Sequence, residues 1–211
     1  MTVPTSPPTA APSPTADAGA FRPVAERYLE QLAALMDQLD LEALERLTDA
    51  LRRARDAGAT VFMAGNGGSA ATATHWANDI NKAASRSGRR PFRALSLADA
   101  TSWLTALAND EGYDRVFSGQ LQNLASPGDV LVMISASGRS PNLIDAVRVA
   151  RERGMTTIAL LGFDGGVLLD MVDHPLLVAT PKGEYGLVET AHTIAADIVT
   201  TFLIDDRAPT T

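Results

Sequence analysis

The sequence contains a serine-rich segment whose residues suit phosphate binding, Ser135-Ala136-Ser137-Gly138-Arg139-Ser140-Pro141. It follows a strand-like apolar run and precedes a helical pattern, so three hydroxyls stand at a helix N-terminus, where unpaired N–H groups bind anions. Ser140 before Pro141 is also a natural N-cap, but capping does not explain Ser135 and Ser137. Arg139 either adds positive charge to this site or projects into solvent, and we favour solvent.

A glycine-rich segment, Gly65-Asn66-Gly67-Gly68-Ser69, also stands between a strand-like run and a helical pattern. Glycines let a backbone approach a ligand closely, and the helix that follows offers its positive end to a phosphate or a sugar hydroxyl. The segment matches neither the dinucleotide fingerprint nor the P-loop motif, which weakens both of those interpretations. The alternative is a plain tight turn between a strand and a helix.

Two polar pairs are further candidates for a site. His75 and Asp79 are four residues apart on the helix that follows the glycine segment, so they share one helical face. An imidazole and a carboxylate so placed either share a metal ion or form a surface pair. Asn109 and Asp110 follow an apolar helical stretch and are either ligand-binding residues or a polar turn.

The last predicted helix carries Glu189, His192 and Asp197 among apolar residues. At about 100° per residue, His192 lies about 60° and Asp197 about 80° from Glu189, so we expect the three side chains to share one broad face. This face either lies against something polar inside the protein or is a solvated stripe.

The elements that must position these residues alternate between strands and helices, which predicts a parallel sheet with helices on both faces. Two amphipathic helices, over 21–39 and 41–51, precede the alternation. The later helices are predicted over 69–84, 100–108, 140–153, 168–172 and 188–204, and the strands over 59–65, 91–97, 129–135, 156–162 and 174–180. Ligands of such sheets bind at the carboxyl ends of the strands, where the serine and glycine segments are expected.

Composition narrows the possible functions. The 211 residues suit one domain, and a net charge of −7 argues against broad binding to nucleic acid or to an anionic membrane. The absence of cysteine excludes disulfides, thiol nucleophiles and Cys-ligated metals. We find no membrane-length apolar run and no signal-peptide pattern, so the cytoplasm is the expected location. Residues 1–20, rich in Pro, Thr, Ser and Ala, are predicted to be a disordered tail before a domain over 21–206.

Taken together, the segments resemble the phosphoheptose isomerase branch of the sugar isomerase (SIS) family. The resemblance spans Glu26 to Ile204 and rests on five motifs in order: GNGGSAATATHWANDI, LTALANDEGYDRVF, GDVLVMISASGRSPN, GMTTIALLGFDGGVLLDMVD and VETAHTIAADIV. It implies a flavodoxin-like sheet, a homotetramer and active sites at subunit interfaces. The implied reaction converts sedoheptulose 7-phosphate into an aldoheptose 7-phosphate.

The resemblance also implies which residues bind the substrate. The phosphate would lie on Ser135, Ala136, Ser137 and Ser140. The remaining substrate-binding residues would be Asn66, Gly67, Gly68, Ser69, Asn109, Asp110 and Glu189.

At the four positions of the family's metal and catalytic residues, the chain keeps the His but carries Asp in place of the proposed proton-transfer Glu and His. Similar isomerases have His and then Glu where this chain has His75 and Asp79, and Gln or Glu and then His where it has Glu189 and Asp197. The implied zinc set is therefore His75, Asp79, Glu189 and Asp197, whose three carboxylates would also suit manganese or magnesium. The implied catalytic residues are Asp79, as the base, and Asp197.

An alternative function follows from the same substitutions. A chain that keeps the phosphate site but has Asp197 in place of a catalytic His could be a non-catalytic sugar-phosphate sensor or scaffold. A SIS protein that associates with a replication initiator is the family precedent for such a role. We favour the isomerase.

Overall fold

A computed structural model of the chain describes residues 20–82 and 84–206, so the predicted tail lies outside the described residues except for Ala20. The described residues form a five-stranded parallel sheet in the order β2-β1-β3-β4-β5. The strands are β1 (Thr60–Gly65), β2 (Arg93–Ser96), β3 (Val130–Ser135), β4 (Thr156–Phe163) and β5 (His174–Ala179). This order is that of flavodoxin-like folds, so the predicted fold class is confirmed.

The burial of each strand explains its sequence pattern. Every residue of β3 is buried, as are all but the first of β1 and of β4, which matches their continuous apolar runs. Strand β2 lies at the edge and alternates exposed and buried residues. The parallel register pairs Gly65 with Ile134 at the ends of β1 and β3, so the glycine and serine segments leave the sheet side by side.

Within the part of the chain that the structure describes, seven helices connect and cover the strands. They are α1 (Phe21–Met36), α2 (Leu41–Ala57), α3 (Gly68–Lys82), α4 (Thr101–Asp110), α5 (Ser118–Leu124), α6 (Pro141–Glu152) and α7 (Tyr185–Asp205), and short 3₁₀ turns cover 84–87, 113–115 and 167–170. Helix α5 was not predicted, and the helix predicted over 168–172 is the last of the 3₁₀ turns. Helix α7 begins three residues earlier than expected, which brings Tyr185 into its first turn.

The two faces of the sheet carry separate apolar cores. Side chains of α2, α3 and α7, including Leu47, Trp76 and Val199, pack on one face. Side chains of α5 and α6, including Leu121 and Leu143, pack on the other. Helices α3 and α6 follow the adjacent parallel strands β1 and β3 and lie on opposite faces of the sheet, so their N-termini meet at the same edge.

Helices α1 and α7 have exposed apolar surface. No residue of α1 is buried, and its firmest tie to the fold is the Tyr28 hydroxyl, which lies 2.9 Å from the Gly186 carbonyl and 2.8 Å from Thr190 Oγ1 on α7. Among the described helices, α7 alone is long and apolar enough to cross a membrane, but half of its apolar window is buried in the fold. Core helices of globular proteins meet the same criteria, so we describe α7 as a core helix.

An arginine cluster fixes the C-terminal end of α7. Asp206 accepts hydrogen bonds from Arg52 and Arg89 and a 2.9 Å bond from Arg55, whose side chain is fully buried. These arginines lower the pKa of the Asp206 carboxyl despite its burial. The C-terminal end of α7 is thereby tied to α2, just as its N-terminal turns are tied to α1 through Tyr28.

Candidate functional site

A cavity of about 160 Å³ lies where β1 and β3 end. It is lined by Asn66, Ser69, Ile134, Ser135, Ala136, Ser137, Ser140, Tyr185 and Glu189. Seven of these nine residues belong to the predicted substrate-binding set, and they come from three segments of the chain, 66–69, 135–140 and 189. Ile134 and Tyr185 were not predicted, because nothing in their local sequence marks them as ligand-facing.

Three helix N-termini converge on this cavity. Ser69 belongs to the first turn of α3, Ser140 is the N-cap residue of α6, and Tyr185 is the first residue of α7. Each N-terminus carries unpaired N–H groups and about half a positive charge, so three of them together favour an anion. The arrangement therefore suits a phosphate group better than a neutral ligand.

The serine loop, residues 135–140, has hydroxyl protons available for such an anion. Ser135 Oγ accepts a 3.0 Å hydrogen bond from the Gly138 N–H, and Ser137 Oγ accepts one of 3.3 Å from the Arg139 N–H. Since each hydroxyl is already an acceptor, its own proton remains to be donated. Ser140 makes no side-chain capping bond, so the capping role that was its alternative interpretation is not observed.

The loop after β4 packs tightly against the serine loop. Gly138 has φ 59°, and a methyl group added there would overlap the carbonyl of Gly165. Arg139 joins the same two loops through bonds of 2.6 and 2.8 Å to the Asp164 carboxylate, which lowers the pKa of Asp164 to about 2. Arg139 is exposed to solvent, as expected, but it is also ion-paired to Asp164, a partner that no local sequence pattern indicates.

Glu189 contributes a carboxylate to the same cavity. A methyl group added at Gly68 would overlap this carboxylate, so Glu189 lies against the first residue of α3. The helix N-terminus stabilises the negative charge there. A carboxylate and a bound phosphate repel, so Glu189 marks the part of the cavity that suits the sugar rather than the phosphate.

The amide of Asn66 is held by two residues that were not predicted. Asn66 and Asn142 exchange two hydrogen bonds, of 3.0 and 2.9 Å, and the Tyr113 hydroxyl donates a 3.0 Å bond to Asn66 Oδ1. Asn142 and Tyr113 both stand inside motifs that carry the family resemblance. Their side chains meet Asn66 only through tertiary contacts, so sequence reasoning had no signal for this role.

Four predicted sugar-site residues do not line the cavity, and one of them is Gly68, which lies against the Glu189 carboxylate. Asn109 and Asp110 form the exposed last turn of α4, where the Asn109 amide donates to the Asp110 carboxylate at 2.7 Å. Gly67 is exposed, with φ 55° and open space around it. In the segment after α4, Tyr113 does not line the cavity itself but bonds to the lining residue Asn66.

The predicted metal-binding residues are only partly brought together. His75 Nε2 and Asp79 Oδ2 are 3.2 Å apart on α3, whereas Asp197 is exposed on α7 and Glu189 lines the cavity. Within residues 20–82 and 84–206, no three His, Asp or Glu side chains come close enough to bind one metal ion. The described residues of one chain therefore do not by themselves bring three or more metal ligands together.

His192 and Asp197 lie on different faces of α7, so the prediction of one shared face with Glu189 is wrong. Their positions differ by about 140° around the helix axis, which separates a fully buried imidazole from an exposed carboxylate. Neither ring nitrogen of His192 makes a hydrogen bond of ordinary geometry with the described residues. Burial lowers the pKa of His192 to about 4, an effect that the nearby Leu161 backbone only partly offsets.

Acid should destabilise the protein through His192. The unfolded chain takes up a proton near the ordinary pKa of 6.5, whereas the folded chain does so only near 4. This contribution to the free energy of unfolding is therefore complete above pH 6.5 and is lost as the pH falls towards 4, by about 3 kcal/mol. Urea unfolding of the wild type and of His192→Gln at pH 7 and pH 4.5 measures it. An equal loss of stability in both proteins would contradict the assignment.

The fold and the cavity define a class of protein. The chain belongs to the SIS domain family, whose profile matches residues 27–162. Over 179 residues it is 38% identical to a phosphoheptose isomerase of Trichlorobacter lovleyi, an alignment that covers 82% of this chain and 90% of that one. A phosphoheptose isomerase of Mycobacterium tuberculosis is 39% identical over 177 residues, with coverage of 82% and 89%.

A solved structure agrees with these sequence relatives. The phosphoheptose isomerase of Neisseria gonorrhoeae superimposes with a TM-score of 0.77 at 32% identity, over 86% of this chain and 97% of that one. The similarity therefore extends over nearly the whole described fold rather than over one motif.

Proposed function

We propose that the chain is an aldose–ketose isomerase that converts sedoheptulose 7-phosphate into an aldoheptose 7-phosphate. The observation that carries the proposal is the serine-lined cavity at three helix N-termini, which suits the phosphate of such a substrate. The sugar is inferred from the relatives, because proteins named phosphoheptose isomerase align with four fifths of this chain. Glu189 and Asn66, in the same cavity, supply polar contacts for the sugar hydroxyls.

An isomerase of this kind moves a proton between two neighbouring carbons through an enediol. Asp79 is the proposed base, and Asp197, aided by Glu189, is proposed to exchange protons with the substrate oxygens. Asp79 lies eleven residues along α3 from Gly68, about 16 Å at 1.5 Å per residue. A base at that distance does not reach a sugar held in its own chain's cavity, so we propose that each active site takes Asp79 from another copy.

Two observations support an assembly of several copies, for which we propose a homotetramer. A cavity of about 160 Å³ is small for a heptose phosphate, because sites for small molecules usually enclose about 300–1,000 Å³. Helix α1 has no buried residue and exposes Phe21, Val24 and Leu29. A second copy that covered α1 would bury this apolar surface and could complete the cavity.

A divalent metal, zinc by family resemblance, is part of the proposal. His75 and Asp79 would supply two donors, and the other two would be Glu189 and Asp197 of a neighbouring copy, because zinc usually takes four ligands. The metal would supply Lewis-acid stabilisation of negative charge on a sugar oxygen. A metal that binds only the folded assembly would raise its melting temperature.

The proposed partners are a phosphorylated sugar and further copies of the same chain, in the cytoplasm, with neither nucleic acid nor membrane involved. The net charge of −7 supports this part of the proposal. The alternative of a non-catalytic sensor is not favoured, because the relatives with 38–39% identity are named as isomerases.

Ser137→Ala should weaken binding of both inorganic phosphate and sedoheptulose 7-phosphate by about 1–3 kcal/mol, or roughly 5- to 150-fold, because a hydrogen bond to a charged group is lost. Isothermal titration calorimetry measures both affinities. Ser126→Ala, an exposed serine at the other end of β3, is the matched control and should bind as the wild type does. Unchanged phosphate affinity in Ser137→Ala would remove the serine loop as the phosphate site.

A further inference from the structure

We propose that Asn142 and Tyr113 are positioning residues that orient the amide of Asn66, so that Asn66 presents an N–H donor to an oxygen of the bound sugar. The inference rests on the proposed function, because it takes the occupant of the cavity to be a phosphosugar. It assigns a role to two residues that lie outside the cavity lining. It also makes Asn66 the hydrogen-bond donor, and not the acceptor, in its contact with the sugar.

The three side chains form one hydrogen-bonded group. Asn66 Nδ2 donates to Asn142 Oδ1 at 3.0 Å, and Asn142 Nδ2 donates to Asn66 Oδ1 at 2.9 Å. The Tyr113 hydroxyl donates to Asn66 Oδ1 at 3.0 Å. Asn142 is 2% exposed, so water does not compete for its amide, whereas Tyr113 is 54% exposed and reaches Asn66 from the surface.

The hydrogen-bonding capacity of Asn66 shows what remains for a ligand. An amide oxygen accepts about two hydrogen bonds, and the oxygen of Asn66 already accepts one from Asn142 and one from Tyr113. The amide nitrogen has two protons, of which one is donated to Asn142. Because Asn66 lines the cavity, its second N–H is the group left to offer, and its natural partner is a hydroxyl or carbonyl oxygen.

The same group joins the two loops that build the cavity. Asn66 follows β1, while Asn142 stands in the first turn of α6, directly after the serine loop. An Asn66 amide without these partners would be free to turn its oxygen towards the ligand, and a preorganised donor would be lost. The phosphate contacts of Ser135 and Ser137 do not depend on this amide, so its loss should affect the sugar and not the phosphate.

A double-mutant cycle tests the inference. Tyr113→Phe and Asn142→Ala are each made in the wild type and in Asn66→Ala, and the affinities for sedoheptulose 7-phosphate and inorganic phosphate are measured by calorimetry. In the wild type, we expect each substitution to weaken sedoheptulose 7-phosphate binding about 3- to 10-fold and to change phosphate binding less than 2-fold. In Asn66→Ala, we expect neither substitution to weaken it further, because both act through Asn66.

The variants separate positioning from general loss of structure. Tyr113→Phe alters an exposed hydroxyl and should fold normally, which keeps the test valid if Asn142→Ala is unstable. Thr157→Val is the matched control for a buried polar group, because Thr157 is fully buried and hydrogen-bonded to Asp173. It lies near the start of β4, at the end of the strand away from the cavity. The Thr157→Val substitution should lower the melting temperature and leave both affinities unchanged.

Two results would overturn the inference. One is that each substitution, Tyr113→Phe or Asn142→Ala, weakens sedoheptulose 7-phosphate binding as much in Asn66→Ala as in the wild type. The other is that these substitutions weaken phosphate binding as much as sedoheptulose 7-phosphate binding. Wild-type protein that binds phosphate but not sedoheptulose 7-phosphate would overturn the proposed substrate, and with it the sugar contact assigned to Asn66. That failure is seen in the wild type alone, so it is distinguishable from a failure of the positioning role.

Discussion

Asp79→Asn should abolish exchange of solvent deuterium into sedoheptulose 7-phosphate at the carbon beside the carbonyl. An amide does not accept the proton that the enediol route removes, and loss of a general base typically lowers a rate by about 10²–10⁴-fold. NMR of the sugar in deuterated water measures the exchange. The matched control is Glu152→Gln, which neutralises an exposed carboxylate at the end of α6 and should leave the rate unchanged.

The same variant tests whether the base comes from another copy. The Asp79→Asn chain retains its phosphate cavity, and the Ser137→Ala chain retains its base. At subsaturating substrate, mixed assemblies of the two chains should therefore regain activity that neither variant has alone. A wild-type rate in Asp79→Asn would defeat the base assignment, and mixed assemblies that gain nothing would place the base and the cavity in one chain.

Gly138→Ala should disrupt the serine loop and eliminate phosphate binding. The residue has φ 59°, which costs a side chain about 1 kcal/mol, and the added methyl group would overlap the Gly165 backbone. Backbone atoms cannot move aside as a flexible side chain can, so we expect the free energy of unfolding to fall by about 3 kcal/mol in total. Urea unfolding and phosphate titration measure the two effects.

Gly128→Ala separates the two causes of this loss. Gly128 also has a positive φ, 89°, but a methyl group there would meet nothing within 4 Å. The control should therefore lose only about 1 kcal/mol and should bind phosphate normally. Equal losses of stability in Gly138→Ala and Gly128→Ala would mean that the close contact between Gly138 and Gly165 contributes nothing to the free energy of unfolding.

Much of the architecture could be predicted from the sequence, because the central strands β1 and β3 are continuous apolar runs that end in Gly65 and Ser135. The parallel sheet then placed Gly65 beside Ile134, and so brought two distant segments to one cavity. Ser135 and Ser137 were identifiable because hydroxyls beyond the needs of a helix cap call for another partner. Helix α5 was missed because seven residues give too few turns for a clear helical period.

The details that escaped prediction depend on tertiary contacts. Arg139 pairs with Asp164 and Asn142 with Asn66, 25 and 76 residues away, and no local pattern specifies such partners. Asn109 seemed ligand-like because it ended an apolar stretch, yet α4 continues through it and turns it to solvent. On α7, angular spacing alone did not show which face the sheet would bury.

The proposed isomerase activity is tested most directly by incubation of the wild-type protein with sedoheptulose 7-phosphate in deuterated water, followed by NMR. We expect deuterium at the carbon beside the carbonyl and the formation of an aldoheptose 7-phosphate, because an enediol route leads to both. Sedoheptulose 7-phosphate that binds to the protein yet neither takes up deuterium nor yields the aldose would contradict the proposed activity, and would leave a sugar-phosphate-binding protein without isomerase activity.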